Sequence, residues 1–139
     1  MQGGPAQLDD LALVVVADAD REAGVALASY FARHGFRASH TALALEVLSL
    51  AREGRVAAVI ADVALADMSG HGLAARLKAL DPDVHVLMTT ADDRPEFEVR
   101  ARQIGILHYA QKPVDEGRLQ ILELVGRRHG GSGVVWCRP

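Results

Sequence analysis

Two periods of hydrophobicity alternate along the chain. Short runs rich in Val, Leu, Ile and Ala occupy 11–16 (LALVVV), 36–39 (FRAS), 57–61 (AAVIA), 84–89 (VHVLMT) and 107–110 (LHYA), and each reads as a strand. Between them the apolar residues recur at helical spacing. A first helix is expected from Glu22 to about His34, with Asp20 at the N-cap and Gly35 as a left-handed stop. Its inner face would carry Val25, Leu27, Ala28, Phe31 and Ala32. A second helix follows Thr41, turns Leu43, Val47, Leu50 and Ala51 inward, and stops at Gly54. A third spans about Gly72 to Leu80 and is ended by Asp81-Pro82. A fourth starts near DDRPE, with Asp93 as cap and Pro95 early in the helix, and ends before Gly105. A fifth, after Asp115, carries Leu119, Leu122, Leu124 and Val125 and runs out at HGGSG.

Strands alternating with helices imply an α/β domain whose parallel sheet is covered on both faces. The first and third runs are the most continuously apolar, so they belong at the centre of the sheet. With 139 residues the chain is long enough for one domain with a substantial core. The expected organisation is an N-terminal extension at 1–10, the domain at 11–129 and a flexible tail at 130–139. The Val-Val-Trp of that tail would fold back or dock on a partner.

Composition narrows the function classes. Half the residues are hydrophobic and 24% are charged, as in a soluble globular protein. A net charge of −3 gives no general attraction to nucleic acid or to anionic membranes, and Arg127-Arg128 reads as charge complementing a helix C-terminus. Cys137 is the only cysteine, so no internal disulfide can form and a reducing compartment fits. No apolar stretch is long enough to cross a bilayer, and MQGGPAQLDD lacks the order of a signal peptide. The expected setting is cytoplasmic.

In open parallel sheets the functional groups gather beyond the carboxyl ends of the strands. Here those ends carry Asp18 and Asp20, then Asp62, then Thr89, Thr90 and Ala91, and finally Lys112-Pro113. Each alone reads as a cap, a turn residue or a solvated charge. Together they place acids, hydroxyls and a lysine on one edge, which is harder to read as chance. No G-x-G-x-x-G follows the first strand, so a dinucleotide cradle is absent. His34, His40, His71, His85, His108 and His129 lack paired spacing and read as surface or loop residues rather than metal ligands.

Over roughly 11–125 this order of residues resembles the receiver domain of two-component response regulators. The matching stretches are VVVAD ending at Asp18, Asp62 after AAVIA, DMSGHGL at 67–73, VLMTTA at 86–91, and YAQKP at 109–113. The resemblance implies a doubly wound, flavodoxin-like (βα)5 three-layer sandwich with a five-stranded parallel sheet. It implies that Asp62 takes a phosphoryl group from a histidine kinase, a phosphotransfer protein or a small phosphodonor. Asp18, Asp62 and the backbone carbonyl of Ala64 would hold Mg²⁺, Thr90 and Lys112 would contact the phosphoryl oxygens, and Tyr109 would follow Thr90 as a switch. The Lys112-Pro113 bond would be cis. Because the domain fills the chain, the output would be a protein contact: an effector or a homodimer on the face of the fourth helix, fifth strand and fifth helix. That face would carry Glu96, Arg100, Gln103, His108, Gln111 and Arg118.

The chain departs from the family pattern at its acidic pocket. Two adjacent acids usually follow the first strand, and the second position here is Ala19. Asp20 lies one residue late, where strand alternation would keep it near Asp18 as a metal ligand but the N-cap competes for it. Ala66 stands where a proline is common and Asp67 where a glycine is. The alternatives are therefore a phosphoacceptor with a weakened metal site, a phosphorylation-independent adaptor, and a haloacid dehalogenase-like phosphatase with Asp18 as nucleophile in VVVADAD.

Overall fold

The structure, a computed structural model, describes residues 13–115 together with Gly117 and Leu119. Within them the chain runs β1 (Leu13–Ala17), α1 (Arg21–Arg33), β2 (Arg37–Thr41), α2 (Ala44–Arg52), β3 (Val56–Asp62), α3 (Gly70–Leu80), β4 (His85–Thr90), α4 (Pro95–Ile104) and β5 (His108–Gln111). All paired strands are parallel, in the order β2-β1-β3-β4-β5. Reversal of the winding direction after β2 puts β1 and β3 side by side within the sheet, where their apolar runs are covered on both sides. The expected N-terminal extension, most of the expected fifth helix including Arg118, and the expected tail with Cys137 lie outside the described residues.

Strand alternation divides the core in two. Val14, Val16, Ala58, Ile60, Leu87 and Ala110 face α1, where Tyr30, Phe31, Phe36 and Leu119 cover them. Val15, Ala17, Val59, Ala61, Val86 and Met88 face the opposite way, onto α2, α3 and α4. Phe31 stacks edge-on against Tyr30 and Phe36, at ring separations of 5.3 and 5.8 Å. Burying a side chain of that size contributes about 1.5–3 kcal/mol.

Two helix faces differ from the sequence reading. In α1 the buried positions are Gly24, Tyr30 and Phe31 with Leu27 and Ala28 partly covered, while Val25 and Ala32 are exposed. The 24-27-28-31 line is the helical stripe, and Val25 and Ala32 lie one position around from it. In α2 the buried residues are Ala44, Val47 and Leu48; Leu43 stands exposed at the N-cap. The start of α4 also differs: Arg94, not Asp93, is the N-cap residue, and Pro95 fills the first turn. Gly35 and Gly105 follow their helices at φ of 90° and 102°, the left-handed values that end a helix.

The cap that α2 lacks locally comes from another loop. Leu43 offers no side-chain acceptor, and Asp67, in the segment between β3 and α3, receives the Ala44 and Leu45 N–H groups at 2.7 and 3.0 Å. Ala66 N–H donates to the Ala42 carbonyl beside it. The Leu45 N–H holds the Asp67 carboxyl below its ordinary pKa, opposed by partial desolvation and helped by the Ala44 N–H. A lowered pKa means that Asp67 stabilises the fold above the ordinary carboxylate value and loses that effect as pH falls through the folded one. Asp67→Ala should therefore lower the urea midpoint at pH 7, and the gap from the parent should close below about pH 4. A gap unchanged by acid would exclude the cap.

Candidate functional site

The parity of each strand fixes which side chains can meet at the sheet edge. Asp62 ends β3 on the α1-facing parity of Ala58 and Ile60, and its register partner on β4 is Thr89. Asp18 and Lys112 continue the same parity one residue beyond β1 and β5. Thr90 and Tyr109 have the opposite parity, toward α4. The backbone ladder extends past the strands to hold these residues: Asp18 N–H donates to Thr41, Val63 to Thr89 and Lys112 to Thr90, at 2.8–2.9 Å.

Asp18, Asp62 and Lys112 form one cluster. The Lys112 ammonium lies 2.6 Å from Asp18 Oδ2 and 3.0 Å from Asp62 Oδ1, and both carboxylates are buried. Burial works against the Lys112 charge, but the hydrogen bonds and charges of Asp18 and Asp62 outweigh it and raise its pKa. Asp62 Oδ2 accepts the Ala64 N–H at 3.0 Å, and Thr89 donates its hydroxyl to Asp62 Oδ1 at 3.3 Å. Gly70 lets α3 start against this backbone, since a Cβ there would stand 2.0 Å from the Asp62 carbonyl oxygen.

Asp20 does not join the cluster. Its exposed side chain accepts the Ala23 N–H as the N-cap of α1, while its own N–H donates to Asp18 Oδ1 at 2.9 Å. The capping hydrogen bond engages this carboxylate at the start of α1. Ala19 is exposed and supplies no oxygen from its side chain. Among the described residues no three His, Cys, Asp or Glu side chains gather as a metal-binding group.

A histidine missed from the sequence steadies Asp18. His40 Nε2 lies 2.8 Å from the Asp18 carbonyl, so that nitrogen carries the proton and donates. The ring fits only because residue 24 is glycine: a Cβ there would come within 2.1 Å of it. His71, read from the sequence as a surface or loop residue, is buried in α3 and donates from Nε2 to the Phe97 carbonyl, tying α3 to α4. Its register on α3 explains this, because it follows the tight start at Gly70.

Thr90 is fully buried and committed to the segment after β4. Its hydroxyl donates to the Asp92 carbonyl at 3.0 Å and accepts the Asp92 N–H at 2.8 Å. Asp92 in turn holds Arg94, whose guanidinium lies over the Phe97 ring. Burial pushes the Tyr109 phenol up, against the opposing pull of the Thr90 side chain. Thr90, Asp62, Ala64, Ser69 and Arg94 line one cavity of about 390 Å³. The Lys112-Pro113 peptide bond is cis.

An α/β fold with a half-buried lysine joining two buried acids at the carboxyl edge defines the class of the domain. Residues 14–122 match the response regulator receiver domain, and the chain belongs to that family. It is 30% identical over 104 residues to the DNA-binding transcriptional regulator NtrC of Azospirillum brasilense, covering 75% of this chain and 22% of that protein. To the transcriptional regulatory protein ZraR of Salmonella typhimurium it is 37% identical over 75 residues, 54% of this chain and 17% of that one. The chain thus spans about a fifth of the length of these relatives. A receiver domain protein from Methanospirillum hungatei superposes with a TM-score of 0.79 at 22% identity, covering 88% of this chain and 99% of that one. The beryllofluoride-activated NtrC4 receiver domain dimer superposes with a TM-score of 0.76 at 19% identity, over 84% and 98%.

Family membership displaces the phosphatase reading. The acid that reading would need at residue 20 is occupied as a helix cap. The raised Lys112 pKa gives a test of the cluster itself. Its contribution to stability is complete below the ordinary lysine pKa and is lost as pH rises through the higher folded value. The stability difference between the parent and Lys112→Met should be flat from neutral pH to about pH 10 and shrink above it. Urea denaturation across that range measures this, and a gap that widens in alkali would exclude the assignment.

Proposed function

We propose that Asp62 is a phosphoacceptor, taking a phosphoryl group from the phosphohistidine of a kinase or phosphotransfer protein, or from a small acyl phosphate. The observation that carries this is the Lys112 ammonium held between Asp62 and Asp18, 3.0 and 2.6 Å from their oxygens. In the transfer a carboxylate oxygen of Asp62 bonds to phosphorus as the donor's P–N or P–O bond breaks, and the donor leaves with the electron pair. Little covalent help is needed, because the barrier is lowered by positioning and by cations on the phosphoryl oxygens. Ala64 N–H orients one Asp62 oxygen and Lys112 is a fixed positive charge beside the other.

The donors fit Mg²⁺, which is content with one or two carboxylates plus a carbonyl, waters and phosphate oxygens. Asp18, Asp62 and the Ala64 carbonyl would hold it, and when bound it would neutralise charge on the transferring group. Ala19 leaves that set one carboxylate short. Thr90 would exchange its Asp92 backbone contacts for the phosphoryl group, and Tyr109 would follow it; the added charge of about −1.5 to −2 would drive the exchange.

A second reading, an adaptor that works without phosphorylation, is favoured by Ala19 and by the short Lys112–Asp18 pair. Intact-protein mass after acetyl phosphate and Mg²⁺ separates the two. The parent should gain one phosphoryl group and Asp62→Asn none. No adduct in the parent, with Ala19→Asp restoring one, would establish the adaptor.

The output surface is the exposed side of α4 and β5. Glu96, Arg100, Gln103 and Gln111 are exposed there, His108 is half-buried, and Val99 and Leu107 present 55% and 76% of their surface. Such apolar residues within a charged rim suit a protein partner or a second copy. We place the chain in the cytoplasm as a signalling protein without direct nucleic-acid or membrane contact; among the described residues no helix is long and apolar enough to cross a membrane. Val99→Arg with Leu107→Arg should weaken self-association of the phosphorylated form by at least about tenfold in sedimentation, from a single buried like-charge clash of several kcal/mol. Unchanged association of the phosphorylated dimer would move the interface elsewhere.

A further inference from the structure

Thr89 is buried, polar and unassigned by any reading so far, and its hydroxyl is aimed at the acceptor. It donates to Asp62 Oδ1 at 3.3 Å, on the same oxygen that faces Lys112. The neighbouring hydroxyl, Thr90, is turned away and bound to Asp92. The register pairing of Asp62 with Thr89 makes this division a property of the sheet rather than of a mobile loop.

Building on the phosphoacceptor reading, we propose that Thr89 acts directly on Asp62, holding the free carboxylate in its low-energy state and shortening the life of the phosphorylated one. The physical basis is the charge on the acceptor oxygen. A free carboxylate is a full-charge hydrogen-bond acceptor, whereas the acyl phosphate leaves on that carboxyl only a weaker, neutral acceptor. A donor fixed on Oδ1 therefore favours free Asp62 over the transition state and over the product. It makes Asp62 a slower nucleophile. In hydrolysis a water oxygen bonds to phosphorus, the P–O bond to Asp62 breaks, and the electron pair returns to the carboxylate. The water's protons leave with inorganic phosphate and solvent. Charge then grows on the oxygen that Thr89 contacts, so the same hydroxyl hastens this step.

The test follows adduct formation and decay by mass in the parent, Thr89→Val and Thr89→Ser with acetyl phosphate and Mg²⁺. Valine keeps the branched shape and removes the donor. It should speed formation and lengthen the phosphoryl lifetime, each by about three- to tenfold, as a long hydrogen bond to a charged group implies. Thr89→Ser should return both rates toward the parent. A valine variant that forms the adduct more slowly, or one whose lifetime is unchanged, would overturn the proposal and leave Thr89 a packing residue. No adduct in the parent or in Ala19→Asp would overturn the phosphoacceptor reading, and the Thr89 proposal with it.

Discussion

The constraint on which the site depends is that two buried carboxylates, Asp18 and Asp62, must share one ammonium. Carboxylates at the end of neighbouring strands repel each other, and burial sharpens the repulsion. Lys112 relieves it from a third strand, so the three strands β1, β3 and β5 are tied at their carboxyl ends by charge as well as by packing. A cation is already in place on Asp62, while the Thr90 hydroxyl is held by Asp92.

The surroundings of this cluster are tied together by side chains that reach between loops. Asp67 crosses from the segment after β3 to cap α2, and His40 crosses from β2 to hold the Asp18 carbonyl over Gly24. His71 links α3 to α4 through Phe97. Each contact joins an element at the acceptor to one beside it. Movement after β3 or β4 would therefore be felt at α2 and α4.

The substitution of Ala19 for the family's second acid is the main tension in the molecule. Asp20, one residue on, is engaged as the N-cap of α1. A hydroxyl, Thr89, instead donates to Asp62. The pocket therefore holds one carboxylate fewer than the family pattern and a neutral donor beside Asp62.

Much of this was legible in the residues. The apolar runs ending in Asp18, Asp62, Thr90 and Lys112 determine a parallel sheet with its chemistry at one edge, because alternation and strand direction are local properties of the chain. Gly105, Pro95 and the Asp20 cap are likewise local and fall where the sequence places them, within a residue. What the sequence could not decide was anything set by contact between distant segments. Val25 and Leu43 look as apolar as their buried neighbours, but Val25 lies one position around from the buried stripe of α1 and Leu43 stands exposed at the N-cap of α2. Asp67 looks like a loop acid until α2 is brought against it, and His40 looks like a surface residue until Gly24 makes room for its ring. Thr89 carried a faint signal, since its parity matches Asp62, but parity becomes contact only once β3 and β4 are paired in register. The sequence by itself determined which groups lie at the edge; the tertiary structure decided which of them touch, because distance between strands and loops is a consequence of packing.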